Sequence, residues 1–167
     1  RTSDWLDGLF VRDGRTAWAV GRGGIILQTT DGGANWRTQR AADGRWLGDI
    51  HFTDARNGWA VGDRGVVLQT TDGGEGWKAV PVGTSEKLGD VYFTDGTHGW
   101  IVGDKGVILA TEDGGRSWRA QRSHTTNDFY SVHFSDAKHG VAVGTGGLIR
   151  YTDDGGKRWR EPKAAGF

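Results

Sequence analysis

Apolar and polar residues alternate along this chain in bursts of four to six positions, and no stretch shows the three-to-four spacing of an amphipathic helix. Between residues 46 and 86, Leu47-Gly48-Asp49-Ile50-His51-Phe52 reads as one strand and Trp59-Ala60-Val61-Gly62 as a second. Val66-Val67-Leu68-Gln69-Thr70 reads as a third and Trp77-Lys78-Ala79-Val80 as a fourth. The polar stretches between them, Thr53 to Gly58, Gly62 to Gly65 and Asp72-Gly73-Gly74, carry the residues of tight turns: Asp, whose carboxylate accepts nearby N–H groups, and Gly, which tolerates positive φ. The pattern predicts an all-β antiparallel meander.

That unit recurs at a fixed step. Trp36, Trp77, Trp118 and Trp159 lie 41 residues apart, and Trp18, Trp59 and Trp100 follow the same step, with Val141 in the fourth slot. Repeats 5–45, 46–86, 87–127 and 128–167 fill one domain, 1–167, without insertion or deletion. Four-stranded repeats of about 40–45 residues are the signature of β-propeller blades. One thin sheet cannot bury both faces, so neighbouring blades must cover them. Three closures fit: a four-bladed ring from one chain, half of an eight-bladed homodimeric ring, or a fragment of a longer propeller. The terminal repeats deviate most, with Val11 opposite Phe52, Phe93 and Phe134, and Arg150 opposite Leu27, Leu68 and Leu109. The first repeat keeps Leu9, Phe10, Val11 and Trp18, a sizeable apolar patch that is expected to be covered.

Composition narrows the chemistry. Glycine supplies 30 of 167 residues, consistent with a turn-rich fold, and the absence of Cys excludes disulfides, thiol catalysis and Cys-ligated metals. The 21 basic and 21 acidic side chains cancel, which argues against general nucleic-acid binding. No apolar run approaches the ~18 residues of a membrane helix, so no direct membrane insertion is expected. HExxH, GxSxG, phosphate-loop and EF-hand patterns are missing, and no metal or other cofactor is expected.

Each third-to-fourth-strand turn reads Thr-x-Asp-x-Gly-x-x-Trp: Thr29 to Trp36, Thr70 to Trp77, Thr111 to Trp118 and Thr152 to Trp159. This resembles the Asp-box (BNR) motif of sialidase-like and related propellers. Asp31, Asp72, Asp113 and Asp154 are read as turn staples, and Trp36, Trp77, Trp118 and Trp159 as apolar anchors folded back on the hairpin. The longer string Gly58-Trp59-Ala60-Val61-Gly62 through Trp77, echoed at Trp18-Ala19-Val20-Gly21 and Trp100-Ile101-Val102-Gly103, resembles the Ycf48-like repeat of photosystem II assembly factors. The resemblance implies a non-enzymatic propeller, usually seven-bladed, that docks onto a membrane-complex subunit in an extracytoplasmic setting. Related repeats occur in bacterial proteins without a photosynthetic role. An unbroken 41-residue step also suits an engineered or recently duplicated propeller with no biological partner.

Propeller geometry places the second-to-third-strand turns and the blade-to-blade connections on one face. There Arg22, Arg64, Lys105, Arg40 and Arg45, with Trp5 and Trp46 at the rim, are candidates for holding a protein partner. Basic residues are expected to dominate that face and to suit partner carboxylates. Asp49, Asp90 and Ser131 fall in one register of the first strands and are expected to line the axial channel. The slot Phe10, His51, Tyr92 and His133 is aromatic or imidazole in every repeat, as expected for packing between blades. A lectin-like propeller with one sugar pocket per blade is the alternative reading. A sialidase-like glycosidase is disfavoured, because Tyr92, Tyr130 and Tyr151 have no Glu placed beside them on a first strand.

Overall fold

In the computed structural model, residues 5–40 and 44–163 are described, with only the backbone described for Arg40. Among the described residues, fifteen strands form four antiparallel meanders. The first sheet holds β1 (Leu6–Val11), β2 (Ala17–Gly21), β3 (Ile25–Thr29) and β4 (Arg37–Arg40). The second holds β5 (Leu47–Phe52), β6 (Gly58–Gly62), β7 (Val67–Thr70) and β8 (Lys78–Ala79), and the third β9 (Leu88–Phe93), β10 (Gly99–Gly103), β11 (Ile108–Thr111) and β12 (Arg119–Ala120). The fourth sheet has β13 (Phe129–Phe134), β14 (Gly140–Gly144) and β15 (Ile149–Thr152), its outermost strand reduced to a single bridge between Tyr151 and Arg160.

The Asp-box turn is closed as its residues dictate. The Thr70 hydroxyl donates to Asp72 Oδ1 at 2.7 Å and accepts the Gly74 N–H at 2.9 Å, while Asp72 Oδ1 accepts the Gly76 N–H at 3.0 Å. The same bracket joins Thr29, Asp31 and Asn35, Thr111, Asp113 and Ser117, and Thr152, Asp154 and Arg158. The N–H of Asn35 holds the Asp31 carboxyl down at about 2, and Ser117 does the same for Asp113. These carboxylates are turn staples. Because Thr70 is buried, Thr70→Val should leave the Gly74 N–H without its acceptor and cost about 1–3 kcal/mol in chemical denaturation. A variant as stable as the parent would show that the bracket is incidental.

Packing runs between blades. Trp18, Val20 and Ile26 of the first blade meet Leu47, Ile50, Phe52, Ala60, Val66 and Leu68 of the second in one cluster, and the same arrangement recurs twice along the chain. At its centre an aromatic pair stacks across each interface: Trp18 on Phe52 at 3.8 Å, Trp59 on Phe93 at 4.0 Å and Trp100 on Phe134 at 3.4 Å between centroids. The box tryptophans close the far side of the phenylalanines edge-on, Trp77 on Phe52, Trp118 on Phe93 and Trp159 on Phe134. Trp36 departs from the expected anchoring. Val11 stands where its phenylalanine partner would be, and Trp36 is 41% exposed.

The inner strands β1, β5, β9 and β13 pack in succession, but among the described residues β13 makes no comparable packing with β1. The four blades therefore form an open arc, and the four-bladed ring is not formed by one chain.

Candidate binding face

Each second-to-third-strand connection is one 3-10 turn, at Arg22–Gly24, Asp63–Gly65, Asp104–Gly106 and Thr145–Gly147. Its first N–H donates to the carbonyl just ahead of the blade's inner strand: Arg22 to Trp5, Asp63 to Trp46, Asp104 to Lys87 and Thr145 to Asp128, at 2.9–3.0 Å. The turn tip is thereby pinned beside the entrance to the axis. The second residue of each turn is left-handed, and here the blades differ. The first and fourth use Gly23 (φ 67°) and Gly146 (φ 65°), whereas the second and third place Arg64 (φ 53°) and Lys105 (φ 54°) there. A side chain in this conformation costs about 1–2 kcal/mol relative to glycine. Local folding gives no reason for Arg or Lys at these tips.

The charged groups divide the face in two. Around the first two blades, Arg22 lies 4.2 Å over the exposed ring of Trp5, and Arg64 has no ion-pair partner among the described residues. Arg45 is half-buried in the connection between those blades, and the side chain of Arg40 lies outside the described residues. Toward the third and fourth blades the balance reverses. Lys105 Nζ is 3.1 Å from Glu86, and the Lys105 N–H donates to Asp128. Burial pushes the Asp104 carboxyl up, with the charges of Asp128, Glu86 and Asp63 adding to the shift and Lys87 opposing it. The face as a whole is thus mixed in charge, with Asp63 opening the same turn as Arg64. Trp46 is also committed to structure: Lys87 sits 4.2 Å over its ring, its Nε1 donates to Asp7 at 2.8 Å, and a side chain at Gly48 would collide with it.

Asp49 and Asp90 are not free channel-lining groups. Asp49 Oδ2 accepts the Val91 N–H at 3.1 Å and Asp90 Oδ2 accepts the Val132 N–H at 2.7 Å, so each carboxyl ties its inner strand to the next blade. Burial, followed by the neighbouring Asp90 carboxyl, pushes Asp49 up to about 8. Ser131, in the same register, is exposed at the end of the arc. Beside them the rings of Phe10, His51, Tyr92 and His133 form a continuous ladder across all four inner strands, with centroids 5.0, 5.3 and 4.2 Å apart. Among the described residues, no group of three or more His, Asp or Glu could hold a metal ion.

A groove of about 680 Å³ lies on the outer side of the third and fourth blades, lined by Ala110, Glu112, Arg119, His124 and Lys157 among others. Ala110, in its lining, stands in the slot of a glutamine. At the two earlier interfaces Gln28 and Gln69 span the gap and donate to the carbonyls of Gly73 and Gly114. At the third interface Gln121 makes the corresponding bond, to the carbonyl of Gly155.

Asp-box-closed blades arrayed around an inner-strand ladder define a BNR-type β-propeller. The family model of the photosynthesis system II assembly factor YCF48 matches residues 75–163, more than half of the chain, and the chain belongs to that family. Among curated proteins, none matches. Among solved structures, YCF48 bound to D1 peptide is 23% identical with a TM-score of 0.77, over 95% of this chain and 54% of that one. YCF48 from Cyanidioschyzon merolae is 21% identical with a TM-score of 0.77, over 98% of this chain and 58% of that one. An ancestral GH74 enzyme is 14% identical with a TM-score of 0.79, over 98% of this chain but 24% of the enzyme. At these identities the likeness is one of fold. The chain spans little more than half the length of the YCF48 structures.

Proposed function

We propose that the chain is a non-enzymatic docking scaffold that holds an acidic segment of a protein partner, a subunit of a membrane complex, against the turn face of its first two blades. The observation that carries this reading is Arg64, a guanidinium with no ion-pair partner among the described residues, held in a left-handed tip where the first and fourth blades use glycine. Maintaining a cation there at a conformational cost makes sense if something outside the chain binds it. Arg22, laid over the exposed Trp5, adds a second cation and an apolar platform on the same side, suited to carboxylates flanked by apolar residues. Family membership supports the reading, as does the YCF48 structure that carries a D1 peptide.

Fluorescence polarisation with a labelled D1 peptide tests the proposal. The double variant Arg22→Glu, Arg64→Glu should weaken binding by about tenfold or more, with a steep loss as salt rises. Lys105→Glu should change it little, because Glu86 already neutralises that cation. Undiminished binding by the double variant would eliminate this face.

A further inference from the structure

The two ends of the arc carry the unmatched halves of an interface that the chain makes three times internally. On the leading side of the fourth blade, Val141, Val143 and Ile149 are between 41% and 44% exposed. They occupy the slots of Trp100, Val102 and Ile108, which are buried against the following blade. On the trailing side of the first blade, Leu9 and Val11 are 64% and 60% exposed. These are the slots of Val132 and Phe134, which receive that packing in the fourth blade.

The two halves match one another in detail. Where every internal interface stacks a tryptophan on a phenylalanine, the free ends offer Val141 and Val11, so both members of the pair are reduced together. Trp77 and Trp159 donate their Nε1 to Gln39 and Gln121 of the preceding blade. In the corresponding pair at the ends, Trp36 already donates to its own Gly33 carbonyl, and the residue that would face it is Pro162, which has no side-chain acceptor. Asp49 and Asp90 accept the N–H of Val91 and Val132 across blades, and one step further Ser131 presents a hydroxyl in the slot facing the Leu9 N–H. An apolar surface of this kind left bare on a folded protein favours association. A face of one sort meeting a complementary face of another makes a head-to-tail contact, which closes when the rotation allows it.

We propose that a second copy of this chain covers both ends, the fourth blade of each copy packing on the first blade of the other to form an eight-bladed ring. The contact continues the register of the internal interfaces. It places Val141 on Val11 and Val143 on Leu9, and it carries the inner-strand ladder around the axis through His133 and Phe10 of opposite copies.

Native mass measurement on the 167-residue chain reads this directly, a dimer weighing twice 18.1 kDa. Leu9→Glu and Val143→Lys each place a charge in both seams of a homodimer and should raise its dissociation constant by about a hundredfold or more. Both sites are exposed in the single chain, so circular dichroism should show unaltered folding. Mixing the two variants should restore dimers, because one seam is then native and the other pairs Glu with Lys. A parent chain that stays monomeric at its highest soluble concentration overturns the proposal. So does a dimer indifferent to both variants, since its contact lies elsewhere, and so does growth into open filaments.

Discussion

Replacing Trp59 with alanine should cost about 3–5 kcal/mol, a large fraction of the 5–15 kcal/mol that holds a typical domain together. The side chain is 1% exposed, and its ring lies on Phe93 with centroids 4.0 Å apart and planes 24° apart. It reaches through the second interface to Gly115, where a side chain would collide with the indole. The loss should stay near that range, because Trp59 Nε1 has no hydrogen-bond partner and removing it deletes a buried unpaired donor along with the packing. The site also lies at the middle of the array, so a cavity there weakens the joint between the two halves. Guanidinium denaturation should show a lower midpoint and a transition broadened toward two steps. Trp36→Ala, in the same fold but outside an interface of the single chain, should cost well under half as much. Equal losses from both would contradict packing between blades as the main source of stability.

The second large effect concerns Asp49 and pH. With its carboxyl pushed up to about 8 in the fold, against an ordinary value near 4, the folded chain keeps a proton that the unfolded chain releases. Such a group stabilises fully below pH 4, and its contribution is lost as the pH rises through 8. His51 acts in the opposite direction over part of that window. Burial, opposed by Asp90, lowers the imidazole to about 4, so its contribution grows as the pH rises from 4 to 6.5 and is constant above. The two slopes oppose one another between pH 4 and 6.5, leaving the fall in stability between 6.5 and 8. Asp49→Asn keeps a carbonyl for the Val91 N–H and has no charge to bury. It should stabilise the chain at pH 8 by a few kcal/mol and flatten the decline above pH 6.5. Melting temperature followed by tryptophan fluorescence across pH 4–8 gives the answer. Parallel curves for parent and variant would mean that Asp49 ionises freely.

Much of this architecture is legible in the sequence, since the signals are periodic and local. A fixed step of 41 residues sets the blades, and a box whose Thr, Asp and Gly bond within five residues sets each outer turn. Trp36 reads as an anchor like its three counterparts, and its exposure follows from Val11 standing in a phenylalanine slot. What escaped depends on how blades meet. Asp49 and Asp90 share a register, but only the spacing between inner strands turns that register into a hydrogen bond to a residue 42 positions on. Likewise Trp46, Lys87 and Asp7 belong to three different blades, and no spacing rule brings them together. The position of Glu86 between blades already places it on the turn face, but only the fold brings it to Lys105 and sets Asp128 against the Lys105 N–H.

The fourth sheet, with three strands and a lone bridge at Arg160, has a kinetic implication. In a linear array of nearly equivalent units, each stabilised by its neighbours, unfolding starts where a unit has one neighbour and the fewest rungs of its own. That unit is the one holding β13 to β15. A chain standing alone, outside the two-copy ring, should therefore unzip from its fourth blade, with amides of β15 exchanging earliest and those of β6 and β10, enclosed on both sides, surviving until the last cooperative event.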